Sequence, residues 1–171
     1  MRRLVLVLAS LTSTGCATSN LRVVEASRPA DRATFERLCK LAGTWQSQDP
    51  SGAWYDAAIF RVSSNGSVVV ETMFPGAQHE MTNVYHLDGA SVVLTHYCAV
   101  GNQPRMRAAA TGGDSVAFEF DSVTNVTDPQ TDVMSSMDLR FVDDDHVVQS
   151  WGSLKKTTHP EPVVFELQRK R

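Results

Sequence analysis

Tight turn signals divide the chain after residue 43 into short segments in which apolar and polar residues alternate. The strongest signals are Asn65-Gly66 and Asp88-Gly89, because a two-residue hairpin turn favours residues that accept positive φ. Gly112-Gly113 and the acidic run at 143–145 separate two later pairs of segments. About ten such segments predict an all-β fold with antiparallel strands in up-and-down order. Because closure removes exposed edge strands, we expect the strands to form one barrel.

A single helical pattern precedes the strands. Asp31 is a favourable N-cap residue, and Gly43 is expected to end the helix. The apolar residues between them recur at helical spacing, namely Phe35, Leu38, Cys39 and Ala42. Because an amphipathic helix buries its apolar face, the sequence predicts one short N-terminal helix lying against the barrel.

Residues 79–106 hold the densest group of chemically active side chains. A two-residue turn at Asp88-Gly89 sets the register of the two strands beside it. That register pairs Leu87 with Ala90, Tyr85 with Val92, Asn83 with Leu94, Met81 with His96, and His79 with Cys98. These residues share the more apolar face, which we assign to the interior. Because buried polar groups need partners, we expect a structural network or a ligand site here, formed by His79, Asn83, His96 and Cys98.

The other hairpins have registers that follow from their turns. Around Asn65-Gly66, Phe60 faces Glu71, which places a carboxylate on an apolar face. A three-residue loop at 112–114 sets a register that pairs opposite charges with each other and apolar residues with each other. Its pairs are Arg107 with Glu119 and Met106 with Phe120. Around the acidic run, the pairs are Phe141 with Val147, Leu139 with Gln149, and Met137 with Trp151.

The first residues have the composition of an export signal. Arg2 and Arg3 precede an apolar run over residues 4–11 that is too short to span a bilayer. Ser13-Thr14-Gly15-Cys16 resembles a bacterial lipobox, in which the cysteine is lipidated, although Ser13 departs from the usual leucine. We therefore predict a signal peptide over 1–16, lipidation at Cys16, a tether over 17–30 and a barrel domain over 31–171. An ordinary signal peptide cut nearby is the alternative.

Charge and cysteine content bear on partners and compartment. The net charge of −3 is nearly balanced, which argues against a nucleic-acid partner because such proteins need a basic patch. Export and a lipid anchor place the protein in the periplasm or cell envelope, attached to a membrane. In that oxidising compartment Cys39 and Cys98 either pair or stay free thiols.

A family resemblance supports the barrel. The segment Leu38–Trp45, with its Gly43-Thr44-Trp45 motif, resembles the beginning of the first strand in lipocalin-like (calycin) barrels, where the tryptophan packs at the closed end. From about residue 33 onward the chain is also similar to a group of uncharacterised bacterial lipoproteins with segments like HEMTNVYHLDG, THYC and GNQPRM. The lipocalin-like resemblance implies binding of a small, mostly apolar molecule inside the barrel.

The predicted ligand site combines inward-facing side chains with a loop, Gly101–Pro104, at the expected mouth of the barrel. Asn102 and its neighbours offer donors that orient a polar group of the ligand. We expect a small, mostly apolar molecule to be bound by Glu71, His79, Met81, His96, Gln103 and Arg105, with Gln149 and Trp151 lining the cavity.

Other functions remain open at the same residues. An enzyme would use Glu71, His79 and His96 for acid–base chemistry. A copper-type site would draw on His79, Met81, His96 and Cys98, and haem would need one histidine ligand. A structural envelope lipoprotein would hold no ligand. Because the sequence has no hydrolase, zinc-helix, phosphate-loop or dinucleotide motif, we predict no catalytic residue and no resident cofactor.

Overall fold

The computed structural model of the chain describes residues 24–26, 32–156 and 159–171. Within them one helix, α1 (Ala33–Cys39), precedes ten strands, and a 3₁₀ turn over Ser64–Gly66 lies between the second and third strands. The strands are β1 (Gly43–Gln48), β2 (Trp54–Ser63), β3 (Val68–Met73), β4 (Met81–Asp88), β5 (Ser91–Tyr97), β6 (Gln103–Gly112), β7 (Ser115–Thr124), β8 (Met134–Phe141), β9 (His146–Ser153) and β10 (Val163–Arg169).

The strands form one closed antiparallel barrel. Each strand pairs with its neighbours in sequence, and β10 pairs with β1 to close the sheet. This is the predicted all-β, up-and-down barrel of about ten strands with one short helix, and that prediction is confirmed. Among the described residues, no helix combines the length and the apolar character needed to cross a membrane.

Two predicted hairpin registers are confirmed. Phe60 lies opposite Glu71 across β2 and β3, and Leu139 lies opposite Gln149 across β8 and β9. Alternation along a strand then sends Glu71 and Gln149 to the inner face. Both side chains are fully buried there.

The predicted register of the β4–β5 hairpin is wrong by two residues along β5. The turn is Gly89-Ala90, so Asp88 remains in β4 opposite Ser91. Gly89 has φ of 65°, and glycine at the first central position is what a type II′ turn requires. As a result Asn83, not Met81, faces His96. A two-residue shift leaves every side chain on its original face, so the inward face was predicted correctly.

The β6–β7 hairpin keeps its predicted pairs through a different turn. Arg107 lies opposite Glu119 as expected, but the chain reverses at a two-residue turn, Gly113-Asp114. The register shifts between Ala108 and Ala110, and this bulge makes up the difference. A three-residue loop and a two-residue turn with one bulge place the same residues opposite each other near the middle of the strands.

The helix is shorter than predicted. It ends at Cys39, and Gly43 begins β1 instead of ending the helix. Arg32 occupies the N-cap position without a side-chain cap, while the predicted cap, Asp31, lies outside the described residues. The proposed signal peptide, the lipidation site and most of the tether also lie outside them.

The helix lies across one end of the barrel, here called the helix end. Arg37 donates a hydrogen bond from Nη1 to the Gly113 carbonyl oxygen at 2.7 Å, and its guanidinium lies 4.1 Å from the Phe141 ring centroid. The buried Trp45 donates its indole N–H to the Leu41 carbonyl oxygen at 2.8 Å. The other end, here called the distal end, carries the β3–β4, β5–β6 and β7–β8 connections.

Candidate functional site

Glu71 stands at the centre of a buried polar network. Its side chain points inward from β3 and is 0% exposed. Carboxylate Oε2 accepts hydrogen bonds from Asn83 Nδ2 at 2.8 Å and from the Tyr85 hydroxyl at 2.6 Å. Carboxylate Oε1 accepts one from Gln149 Nε2 at 2.7 Å. Both carboxylate oxygens are therefore satisfied by neutral donors.

The hydrogen bond between Glu71 and Gln149 crosses the barrel interior. These residues lie on β3 and β9, which are separated around the barrel by β2, β1 and β10. Trp151 donates its indole N–H to Gln149 Oε1 at 3.2 Å. Because an indole N–H only donates, this contact fixes the amide orientation and directs Nε2 of Gln149 toward Glu71.

His96 extends the network on the β4–β5 side. Its Nδ1 lies 2.7 Å from Asn83 Oδ1. Because that oxygen only accepts, Nδ1 carries the proton and donates. Burial lowers the pKa of His96 to about 4, so the ring is neutral near pH 7. The ring centroid of His96 lies 5.0 Å from that of Trp151, which joins the two sides of the network.

We call this set the Glu71 network; its members are Glu71, Asn83, Tyr85, His96, Gln149 and Trp151. Burial raises the pKa of Glu71, and the hydrogen bonds from Tyr85, Asn83 and Gln149 oppose the rise. Burial and the neighbouring Glu71 carboxylate raise the pKa of Tyr85 well above its ordinary value. Tyr85 therefore stays a neutral hydrogen-bond donor, and Glu71 is the one acidic side chain in the Glu71 network.

A small gap borders the Glu71 network. It comprises about 170 Å³ of unfilled space, counted with the adjoining solvent, and has no room for a water molecule. Two aromatic rings line it, Phe74 from the β3–β4 connection and Phe165 from β10, with their centroids 5.5 Å apart in an edge-to-face contact. Its other lining residues are Ala57, Ala58, Glu71, Met73, Gln149 and Leu167.

Phe74 has an unusual backbone conformation. Its φ is 52°, in the left-handed region that a bulky residue rarely adopts. Its N–H donates to the Ala57 carbonyl oxygen at 2.8 Å, which ties the connection to β2. The His79 ring packs against the Phe74 ring in a tilted arrangement, with ring centroids 4.9 Å apart. The left-handed residue lets the chain leave β3 while the ring packs against the core.

Four of the predicted site residues come together in the network: Glu71, His96, Gln149 and Trp151. Met81 is partly buried and lies opposite Met73. His79 is exposed in the β3–β4 connection, whereas the hydrogen-bond donors to Glu71 are Asn83, Tyr85 and Gln149. His96 also does not bond Glu71 directly, because Asn83 lies between them.

The predicted residues of β6 lie away from the network. Gln103 Nε2 donates to the Gly101 carbonyl oxygen at 2.8 Å, and Gln103 Oε1 accepts from Thr124 at 3.0 Å. Arg105 lies on the outer face of the barrel, where its guanidinium is 3.3 Å from Asp88 and 3.1 Å from Asp121. The structure therefore separates these two residues from Glu71, because alternation sends Met106, not Arg105, inward.

Sequence analysis missed the contributions of three side chains. Asn83 was placed on the inward face but left out of the site, although it bridges Glu71 and His96. Tyr85 was counted as apolar bulk, although its hydroxyl bonds the carboxylate. Phe74 lies in the Pro-Gly connection after β3, and alternation within strands does not predict where a side chain in a connection points. For Asn83 and Tyr85, the sequence signal was that alternation places both on an inward face, as it does Glu71.

Metal and disulfide chemistry were also left open by the sequence. Across residues 24–26, 32–156 and 159–171, no group of three or more His, Cys, Asp or Glu side chains is arranged to hold a metal ion. Cys39 and Cys98 are both free thiols. The arrangement around Glu71 is a set of directed donors and aromatic rings, which suits binding of a polar group within an apolar enclosure.

The fold and the network together define a closed up-and-down barrel with a polar centre. The ten-stranded antiparallel barrel is compatible with a lipocalin-like fold. The chain matches no protein-family model and no curated protein.

Proposed function

We propose that this protein binds a small, mostly apolar molecule at the distal end of the barrel, between the Glu71–Gln149 hydrogen bond and the ring of Phe74. The observation that carries the proposal is the gap beside Glu71. One buried carboxylate borders a space otherwise enclosed by two alanines, two aromatic rings and other largely apolar side chains. An apolar enclosure with one directed polar group is the usual composition of a small-molecule site.

In this proposal the Phe74 ring occupies the ligand position when the site is empty. Its left-handed backbone conformation costs an L-residue about 1–2 kcal/mol, and packing of the ring against Phe165 and the core offsets that cost. A ligand that replaces these contacts lets the Phe74 backbone return to an ordinary conformation. Strained residues of this kind are frequent at ligand-binding positions.

An unpaired acceptor supports a site at the same end. Asn102, in the β5–β6 connection, is 2% exposed, and its Oδ1 is buried without a hydrogen-bond partner among the described residues. A buried oxygen without a partner costs free energy, so such groups call for an explanation. Asn102 does not line the gap itself, so its missing partner would be a ligand group that extends across the distal end.

We also propose, from the sequence, that the protein is exported and anchored through a lipid on Cys16. The basic residues, short apolar run and lipobox-like segment support this proposal. The barrel would then face the periplasm or the outer side of the cell envelope, attached to the membrane by a tether over residues 17–30. Labelling with a radioactive fatty acid in the wild type and in Cys16→Ala tests it, and equal labelling would contradict it.

Calorimetric titration with 1-hexanol tests the site. Phe74→Gly removes the ring and suits the positive φ, so we expect it to bind 1-hexanol at least about tenfold more tightly than the wild type. Phe120→Gly is the matched control, because Phe120 lies in β7, outside the lining of the gap, and the residue is 39% exposed. We expect that control to bind like the wild type.

The same titration separates the proposal from a barrel that holds no ligand. The ligand-free alternative is favoured by the hydrogen bond that crosses the interior and by the narrowness of the gap. If folded Phe74→Gly takes up no 1-hexanol, or if Phe120→Gly gains the same affinity, the distal site is misplaced.

A further inference from the structure

We propose that the ligand is an organic cation, an ammonium group on an apolar body, whose charged nitrogen pairs with the Glu71 carboxylate. This inference rests on the proposed binding site at the distal end and names the chemical class that the site recognises. Three features of the site carry it: an uncompensated acidic group, the direction of its hydrogen bonds, and the aromatic rings that line the same gap.

Glu71 is a buried acidic group without a cationic partner among the residues that the structure describes. Its neighbours in the network are the neutral side chains of Asn83, Tyr85 and Gln149, and no charged group contributes to the shift of its pKa. Elsewhere in the barrel Asp88, whose side chain is 9% exposed, meets Arg107 at 2.5 Å. Buried charges are usually paired. A cation from outside the chain would complete the pair at Glu71.

The hydrogen bonds of the network are directed to hold a negative charge. Gln149 presents N–H to Glu71, because its oxygen is engaged by the Trp151 indole. Asn83 also presents N–H, because its oxygen is engaged by His96. Both amide groups therefore turn their N–H toward Glu71 and their oxygens toward His96 and Trp151, away from the carboxyl group. These donors oppose the rise in the pKa of Glu71 that burial causes, and a cation beside the carboxylate would oppose that rise further, whereas an anionic ligand would add to it.

The aromatic and apolar lining of the gap suits the rest of an organic cation. Phe74 and Phe165 line the same gap as Glu71 and Gln149, and an aromatic face within about 6 Å attracts an ammonium group. Met73, Leu167 and the two alanines offer apolar contact to the remaining carbon chain.

Three probes of equal chain length and different charge test the inference. Hexylammonium, 1-hexanol and hexanoate are titrated by calorimetry into the wild type and into Phe74→Gly at pH 7.5. We expect hexylammonium to bind at least about tenfold more tightly than 1-hexanol, and hexanoate to bind most weakly. Equal affinity for hexylammonium and 1-hexanol would overturn the inference and leave the proposed binding site standing. If none of the probes binds Phe74→Gly, the proposed site itself fails.

Glu71→Gln identifies the group responsible for the preference. It keeps the size of the side chain and removes the charge, so the preference for hexylammonium over 1-hexanol should fall to within about twofold. Glu119→Gln removes one acidic side chain from the exposed face of β7 and should keep the full preference. A preference that survives in folded Glu71→Gln would overturn the assignment. Because Glu71→Gln can fail to fold, the probe series on Phe74→Gly decides the ligand class without it.

Discussion

A fully buried carboxylate costs free energy, and Glu71 offsets part of that cost with three hydrogen bonds from neutral donors. Burial nevertheless raises the pKa of Glu71 above its ordinary value of 4.5. The folded protein therefore holds a proton on Glu71 at pH values where the unfolded chain has released it. This difference makes the free energy of unfolding depend on pH.

We expect the contribution of Glu71 to stability to be complete below about pH 4.5 and to fall as the pH rises through the folded-state pKa. Over that window the unfolded chain binds fewer protons than the folded chain, so the free energy of unfolding decreases with pH. Glu71→Gln has no proton to release at this position, so its free energy of unfolding should lack this decrease with pH. Urea denaturation between pH 4 and pH 8 measures both proteins.

Glu119→Gln is the control for this titration, because Glu119 is an exposed residue of β7. Its pH profile should run parallel to that of the wild type. If the wild-type and Glu71→Gln profiles are parallel as well, then folding does not perturb Glu71, and the raised pKa is contradicted.

At the scale of elements, the hairpins were largely predictable because a turn and an alternating strand determine which residues face each other. The Asn65-Gly66 turn placed Phe60 opposite Glu71. The β4–β5 hairpin went wrong because Asp88-Gly89 satisfies one turn type and Gly89-Ala90 satisfies another. The alternating pattern of the two strands fits either turn equally well. Both turns put Tyr85 and His96 on the inner face.

The network was harder to predict than the strands that carry it. The bond between Glu71 and Gln149 joins residues 78 positions apart and exists only because the barrel closes. Register predicts neighbours on adjacent strands, whereas contacts across the interior depend on barrel width and strand tilt. Arg105 was included in the site for another reason, because it follows the loop at the expected mouth of the barrel, whereas alternation turns it outward and Met106 inward.

Arg169 closes the barrel where β1 and β10 meet at the helix end. Two residue pairs join these strands, Trp45 with Arg169 and Gln46 with Gln168. The Arg169 guanidinium donates to the carbonyl oxygens of Ala42 at 2.9 Å and Lys40 at 3.0 Å. It also lies 4.4 Å from the Trp45 ring centroid. One planar side chain thus joins the last strand to the end of the helix and the first strand.

Arg169→Lys should lower the free energy of unfolding by about 1–3 kcal/mol, because an ammonium group cannot reproduce the planar set of donors or the stacking on Trp45. Arg171→Lys is the matched control. Its side chain is 89% exposed and pairs with Asp145 at the surface, so a change within about 0.5 kcal/mol is expected. Urea denaturation at pH 7 compares the variants, and equal effects would contradict the role of Arg169 in closure.

At the scale of the whole molecule, the barrel interior is packed but adaptable. Five methionines contribute to the core, and methionine fills irregular space with little strain. Three are buried and two are partly buried against the core: Met73, Met106, Met137, Met81 and Met134. The proposed site lies at the distal end of this core. Adjustment of Met73 and displacement of Phe74 would enlarge the gap without disturbing the hydrogen bond that crosses the interior.

The central claim is that the barrel holds a small molecule beside Glu71. Native mass spectrometry of the full chain, purified gently from its own host, tests this claim most directly. The account predicts a stoichiometric extra mass that is lost on denaturation and is absent from Glu71→Gln purified in the same way. An apo protein, together with a Phe74→Gly variant that also carries no extra mass, would contradict the account and favour a barrel whose packed interior serves structure alone.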